Sequence, residues 1–140
     1  MIVIDSSLLI AALSAKDKNH DRARLLVAEI RKGIWGQALL PDWVFVEVSN
    51  FVQRRSGREA AVAVARQMSD PEAARLVACS PLFEAAKDLF TSGRTGSLSF
   101  ADVGVVMVAR KAGVANVASY DGGFHAVPGL NVIQDARTAA

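Results

Sequence analysis

Four acidic residues stand where the surrounding pattern is apolar, and carboxylates in such positions suggest chemistry. They are Asp5 after residues 1–4, Glu47 within residues 43–48, Asp102 within residues 100–109, and Asp121 after residues 117–120. An ionised carboxylate held away from water without a partner is costly. The sequence offers no matching set of buried Lys or Arg side chains. Four converging carboxylates would therefore favour a hard divalent metal ion, which prefers oxygen ligands.

Taken singly, three of these acids have ordinary explanations. They are a helix cap at Asp5, a capping partner of the preceding Ser99 at Asp102, and a turn before two glycines at Asp121. Glu47 is harder to explain in this way, because apolar residues lie on both sides of it. The joint pattern, rather than any one residue, indicates a shared site.

Short apolar segments alternate with helical patterns along the chain. Strands are predicted at residues 2–5, 37–40, 116–118 and 130–133, while the ambiguous pattern at residues 74–78 is compatible with a further strand. Helices are predicted from Ser6 or Ser7 to residue 13, and over residues 20–32, 41–55, 58–67, 81–90 and 99–113. This alternation predicts a three-layer α/β/α sandwich with a mainly parallel central sheet. Residues 1–135 are expected to form one domain, and residues 136–140 a frayed tail.

The predicted sheet gives the four acids a place to meet. Ligands of open parallel sheets bind outside the carboxyl ends of the strands. Asp5 and Asp121 directly follow predicted strands, and Glu47 and Asp102 lie in or near the first turns of predicted helices. We therefore expect all four side chains to share one cleft at this edge.

Composition limits the class of protein. The chain has 140 residues, of which 51% are hydrophobic and 21% are charged, which suits one globular domain. A net charge of +2 is compatible with a nucleic-acid partner but is weak support for one. The single Cys79 excludes an intrachain disulfide framework and a Cys-rich zinc site, and favours a reduced, cytoplasmic interior. We expect no signal peptide and no membrane span, because no apolar run approaches about 18 residues.

Four segments, in this order, resemble the PIN domain. They are residues 4–9 (IDSSLL), 46–48 (VEV), 99–102 (SFAD) and 119–124 (SYDGGF). In size the chain looks most like the VapC-type toxins of bacterial and archaeal toxin–antitoxin pairs. The resemblance extends from Met1 to about Gln134 and rests on the four motifs together.

The resemblance implies a Mg²⁺- or Mn²⁺-dependent endoribonuclease that is usually dimeric and is blocked by a cognate antitoxin. It assigns catalytic roles to Asp5, Glu47, Asp102 and Asp121, with Asp5, Asp102 and Asp121 as metal ligands and with Ser6 and Ser119 as supporting hydroxyl groups. One position departs from the family. Members often carry a further acid two residues beyond the last Asp, where this chain has Gly123. A second metal ion would therefore be held weakly or partly by the substrate.

Basic residues around such a cleft would contact the RNA backbone, and Arg54, Arg55 and Arg94 are predicted to do so. The remaining acids, Glu29 among them, are expected on loops or polar helix faces.

Other interpretations remain open at this point. An acid after a first strand also suits a phosphotransfer domain. The four acids could also be caps and turn residues of a non-catalytic α/β interaction module. A different PIN-type nuclease that processes rRNA or DNA flaps would share the same motifs.

Overall fold

The fold is built on a five-stranded sheet, seen in a computed structural model that describes residues 1–138. The strands are Ile2–Ile4 (β1), Ala38–Pro41 (β2), Arg75–Val77 (β3), Asn116–Ala118 (β4) and Asn131–Ile133 (β5). Their order in the sheet is β3-β2-β1-β4-β5, and every pair of neighbours is parallel. The carboxyl ends of all five strands therefore lie at one edge, with β1 and β4 adjacent at the centre.

Helices connect these strands and cover the sheet. They are Ser6–Leu13 (α1), His20–Arg31 (α2), Asp42–Ser56 (α3), Arg58–Met68 (α4), Phe83–Thr91 (α5) and Phe100–Ala112 (α6). Helix α3 packs against α1 and α4, while α5 packs against α6, which also contacts β1 and β2. The predicted α/β sandwich with a parallel sheet is confirmed. Within residues 1–138, no helix has the length and apolar character needed to cross a bilayer.

In three segments the structure resolves or changes the secondary structure predicted from the sequence. The ambiguous segment forms the edge strand β3, which pairs with β2 only. Helix α5 begins at Phe83 rather than at Pro81, because residues Ser80–Leu82 form a 3-10 turn first. The predicted turn after Asp121 continues as a short 3-10 helix, Gly122–Ala126.

The elements next to Asp5 and around Asp102, β1 and α6, are anchored by buried side chains. All three residues of β1 are buried, because the strand is paired on both sides and lies between helices. Helix α6 buries a run of valines that includes Val103, Val105 and Val106. Each fully buried valine contributes about 1.5–3 kcal/mol relative to an exposed one. This packing fixes the first turn of α6 at the carboxyl edge of the sheet.

The two ends of α6 follow from local sequence chemistry. The Ser99 hydroxyl accepts the Asp102 N–H at 3.2 Å, and the Asp102 carboxylate accepts the Ser99 N–H at 2.9 Å. This reciprocal pair is the capping box that the Ser-x-x-Asp spacing indicates. Gly113 ends the helix in the left-handed conformation, with φ of 66°, which costs little without a Cβ atom.

A close contact between α3 and α6 explains the glycine in the middle of α6. The Trp43 ring lies against the backbone of α6, so that a Cβ atom at Gly104 would lie 2.3 Å from the ring atom Cε3. The same ring packs against Phe100, with 5.3 Å between ring centroids. Gly104 therefore sets the distance at which the two acid-bearing helices approach each other.

The prediction that Glu29 lies on a polar helix face is wrong. Its side chain is buried and accepts hydrogen bonds from Trp35 Nε1 at 3.0 Å and from the backbone N–H groups of Arg137 at 2.9 Å and Thr138 at 2.8 Å. The Arg137 guanidinium lies 3.9 Å from the Trp35 ring centroid. Part of the predicted frayed tail is thus held by Glu29, while residues 139 and 140 lie outside the described residues.

Replacing Gly104 with Ala should destabilise the protein by about 1–3 kcal/mol, because the new methyl group overlaps the Trp43 ring. The better helix propensity of Ala, worth about 1 kcal/mol, offsets only part of this cost. Urea denaturation measures the change. The control is Gly122→Ala, where an added Cβ meets no heavy atom within 4 Å. Equal stability of Gly104→Ala and the parent protein would contradict the proposed close packing.

Replacing Glu29 with Gln should lower stability at neutral pH. Hydrogen bonds, first from the Thr138 hydroxyl, lower the pKa of Glu29 to about 2, whereas the unfolded-state pKa is about 4.5. The carboxylate therefore stabilises the fold above that value, and the contribution disappears as the pH falls toward 2. Denaturation midpoints should differ most above pH 5 and converge in acid. The exposed Glu72→Gln serves as control, and a pH-independent difference would contradict this role for Glu29.

Candidate functional site

Asp5 is the most buried acid at the carboxyl edge of the sheet. It directly follows β1, is 1% exposed, and caps the N-terminus of α1. Its Oδ2 atom accepts hydrogen bonds from the hydroxyls of Ser7 and Ser119, both at 2.7 Å, and from the Ser7 N–H at 3.4 Å. Burial raises the pKa of Asp5, while these hydrogen bonds act in the opposite direction.

The two serines join Asp5 to the chain that follows β4. Ser7 Oγ accepts the Tyr120 N–H at 2.9 Å, and Ser119 Oγ accepts the Asp121 N–H at 3.0 Å. Each hydroxyl has one hydrogen, which it donates to Asp5, and lone pairs that accept these amides. Each hydroxyl thus donates to Asp5 and accepts one backbone amide, and together the two serines hold the segment carrying Asp121 against Asp5.

Asp102 combines a structural and an electrostatic role. It is 7% exposed, and its Oδ2 atom is occupied by the Ser99 N–H. Burial, followed by repulsion from Asp5 and Asp121, raises its pKa to about 6, although the hydrogen bonds from Ser99 oppose the change. The charges of two other acids therefore act on this one carboxyl group.

Asp121 begins the 3-10 helix at the end of β4. Its Oδ1 atom accepts the Gly123 N–H at 2.9 Å. A Cβ atom at Gly123 would lie 2.9 Å from Ser97 Oγ, 2.9 Å from Leu98 Cδ2 and 3.2 Å from Asp121 Oδ1. No side chain fits there without rearrangement, which gives a physical reason for Gly123 at the position where related proteins often have an acid.

Glu47 approaches the same edge from α3. The side chain is half-buried, and burial followed by repulsion from Asp5 raises its pKa, which an interaction with the Ser6 hydroxyl lowers in part. Ser6, predicted as a supporting hydroxyl of the site, thus lies beside Glu47. Ser7, which the sequence interpretation did not select, takes the place next to Asp5. The signal that could have identified it is the Asp-x-Ser spacing of a side-chain cap.

The four acids are gathered at one edge but do not form a closed ligand set. Asp5 repels both Glu47 and Asp102, and Asp121 repels Asp102. Yet among residues 1–138 no three or more His, Cys, Asp or Glu side chains are arranged so that they could hold a metal ion. Like charges repel, and backbone amides hold Asp102 and Asp121 in place. Coordination would therefore require small movements of these side chains.

Two oxygen atoms nevertheless fit a cation. Asp5 Oδ1 and Glu47 Oε1 are buried and have no hydrogen-bond partner among the described residues. Unpaired buried polar atoms are uncommon and call for an explanation. Carboxylate oxygens are the ligands that Mg²⁺ and Mn²⁺ prefer, so the donor set suits such an ion.

The three predicted RNA-binding arginines lie in different places. Arg54 and Arg55 are exposed in the last turn of α3, and Arg55 stacks over the Phe51 ring at 5.3 Å. The seven residues from Glu47 to Arg54 correspond to about 10 Å along the helix, away from the carboxyl edge. Arg94 instead lies on the loop before α6, beside Gly122 and Gly123.

Comparisons with known proteins agree with this geometry. A family model described as the PIN domain matches residues 2–130. Among solved structures, Mycobacterium tuberculosis VapC20, described as a Sarcin-Ricin loop cleaving toxin, superposes with a TM-score of 0.76 and 26% identity over 96% of this chain and 99% of its own.

Two more distant structures share the fold. A toxin–antitoxin complex from Klebsiella pneumoniae has a TM-score of 0.63 and 13% identity, covering 94% of this chain and 97% of its own. FitAcB from Neisseria gonorrhoeae has a TM-score of 0.60 and 18% identity, covering 90% and 92%. Among curated protein sequences, none matches significantly.

In the metal-free protein, Asp102 should titrate with a midpoint near pH 6, measurable from its side-chain carboxyl ¹³C shift. Because the folded-state pKa is raised, the protonated form stabilises the fold, and this contribution is lost as the pH rises from about 4 through 6. The variant Asp5→Asn should lower the midpoint, since it removes a repelling charge. The variant Asp102→Asn assigns the signal. A midpoint near 4 in the parent protein would disprove the electrostatic coupling.

Proposed function

Because the PIN domain model spans nearly the whole chain, the chain belongs to the PIN domain family, and we propose that it is a Mg²⁺- or Mn²⁺-dependent endoribonuclease. The observation that carries the proposal is the Asp5 carboxylate. It is buried at the junction of β1 and β4, has one unpartnered oxygen, and lies within electrostatic reach of two more acids. A cation would offset the cost of keeping this charge away from water.

Each acid has a proposed role. Asp5 and Asp102 would be the main ligands of the ion, Asp121 would complete its coordination, and Glu47 would hold a water molecule or a second ion. A bound Mg²⁺ or Mn²⁺ supplies charge neutralisation at the phosphate and activates water for hydrolysis of the phosphodiester bond. The lack of a carboxylate at Gly123 favours one tightly held ion.

Two serines of the site orient the Asp5 carboxylate by hydrogen bonding. Ser7 and Ser119 occupy Asp5 Oδ2 and so leave Oδ1 available for a ligand. Asp102 must lose the proton that its raised pKa favours before it can bind an ion. Activity should therefore decline in acid as this carboxyl group becomes protonated.

We further propose that the nuclease is the toxin of a type II toxin–antitoxin pair. VapC20, a toxin, aligns over 96% of this chain and 99% of its own. As such a toxin, the protein would act on RNA inside the cell, bind a cognate antitoxin protein and form a homodimer. A structured RNA loop, of the kind named for VapC20, is the first substrate to test.

One observation favours a second candidate function. Because no closed group of three ligands exists among residues 1–138, a non-catalytic interaction module with inert carboxylates is the alternative. Thermal unfolding with and without Mn²⁺ distinguishes the two. A cation that binds the folded state raises the melting temperature, whereas an inert cluster gives no change.

The variant Asp5→Asn should reduce cleavage of a 5′-labelled RNA by at least about a hundredfold, because several kcal/mol of transition-state stabilisation are lost with the ligand. Cleavage by the parent protein should cease on chelation of divalent metal and return with Mn²⁺. The matched control is Asp88→Asn, an exposed acid on α5. Glu47→Gln provides a second test if Asp5→Asn fails to fold. Metal-independent cleavage, or full activity of both site variants, would refute the assignment.

A further inference from the structure

A groove of about 470 Å³ lies next to the carboxylate site. The loop before α6, one side of α6, and the segment after Asp121 form its walls. Its polar lining includes Arg94, Thr95 and Ser97 from the loop and Arg110 from α6, and the backbone of Gly122 and Gly123 forms part of the opposite wall. The proposed catalytic mechanism uses none of these side chains.

Gly123 connects the wall of the groove to the site. The N–H of Gly123 donates to Asp121, and a Cβ atom there would lie 2.9 Å from Ser97 Oγ and from Leu98 Cδ2, so these two residues cover Gly123. The wall next to Asp121 is therefore open backbone at Gly122 only. At Gly122 an added Cβ would meet nothing within 4 Å, so the space beside this wall is open.

The charge of the groove is opposite to that of the site. None of the described residues that line it is acidic. Arg94 and Arg110 are both exposed, and neither guanidinium forms an ion pair with a described residue. Arg94 Nε contacts only the Ser92 hydroxyl, at 3.3 Å. Two unpaired guanidinium groups that line one groove suit a ligand carrying repeated negative charge.

We propose that this groove binds the phosphate backbone of the RNA substrate on one side of the cleaved bond, with Arg110 and Arg94 as the phosphate contacts. The inference rests on the proposed ribonuclease function. The eight residues from Asp102 to Arg110 span about 12 Å along α6, so Arg110 contacts a phosphate beyond the reacting one. Guanidinium groups bind phosphate oxygens in a bidentate manner, and the open space at Gly122 lets the backbone of the nucleic acid approach.

RNA explains these features better than an acidic protein segment does. The wall of the groove adjoins Asp121 through Gly123, so an RNA strand whose reacting phosphate lies at the carboxylates would place a neighbouring phosphate near the groove. A carboxylate-bearing peptide would bring more negative charge to four acids without taking part in chemistry. The phosphate contacts carry no base readout, so they position the strand rather than select its sequence.

The test measures RNA binding separately from cleavage. In the Asp5→Asn background, fluorescence anisotropy with a labelled single-stranded RNA gives the affinity at several salt concentrations. Each phosphate contact contributes about 0.7 to the slope of log affinity against log salt. Adding Arg110→Ala should therefore reduce the slope by about 0.7, and adding Arg94→Ala as well should reduce it by about 1.4. In cleavage assays without Asp5→Asn, the arginine variants should raise KM severalfold and leave kcat within about twofold.

The matched control is Lys111→Ala. Lys111 is the next residue on α6, is also exposed and cationic, but lines a different depression with Leu39 and Val108. It should leave both slope and KM unchanged. The Mn²⁺-induced rise in melting temperature should be equal in all of these variants except those carrying Asp5→Asn, because the carboxylates are intact.

Each outcome has a distinct meaning. If the parent protein cleaves RNA but Arg110→Ala and Arg94→Ala leave slope and KM unchanged, the groove proposal is overturned and the ribonuclease function stands. If the parent protein neither binds nor cleaves RNA, both proposals fail. If the arginine variants lose binding to poly-glutamate and keep normal RNA affinity, the groove is a protein-binding surface, and the RNA proposal is also overturned.

Discussion

The buried negative charge of Asp5 is the constraint on which the rest of this structure depends. Two serine hydroxyls donate to one oxygen atom of this carboxylate, while the other oxygen has no hydrogen-bond partner among the described residues. The serines in turn accept backbone amides from the segment after β4. One polar network therefore joins the central strand, the first helix and the loop that carries Asp121, across more than a hundred residues of sequence.

Sheet topology places this network where a ligand can reach it. The strand order changes direction between β1 and β4, since connections run outward to β2 and β3 on one side and to β5 on the other. Helices that leave neighbouring carboxyl ends diverge at such a point and open a crevice. Asp5 follows β1, and Ser119 and Asp121 follow β4. These residues therefore lie on the two sides of the crevice. The buried valines of α6 then fix Asp102 along its margin.

Much of this arrangement could be predicted from local pattern. Apolar runs and capping residues predicted the central strands, the helices and the capping box of α6, because each depends on residues close in sequence. The partner of a buried group is harder to predict. Ser6 and Ser7 both follow Asp5, and only the direction of the first turn of α1 determines which hydroxyl reaches the carboxylate.

Two further residues show the same limit. Glu29 resembles any acid on an amphipathic helix, and its burial depends on Trp35 and the segment at residues 137–138. Arg110 resembles an ordinary cation at a helix end, and its place in a groove depends on the loop before α6 and the chain beyond Asp121. In both cases some of the decisive neighbours lie outside the helix and beyond local spacing, as residues 137 and 138 do for Glu29, so the pattern of the helix alone carries no signal for them.

The double use of Asp102 has a consequence for how variants at this position are interpreted. Its carboxylate closes the first turn of α6 while it also faces the other acids. Alanine at position 102 would remove the helix cap together with the charge, so a lost activity could reflect a frayed helix end. Asparagine keeps an oxygen acceptor for the Ser99 amide and removes only the charge. An evolving lineage meets the same restriction, because few side chains preserve the fold here and, of these, only aspartate would also supply the carboxylate proposed as a ligand.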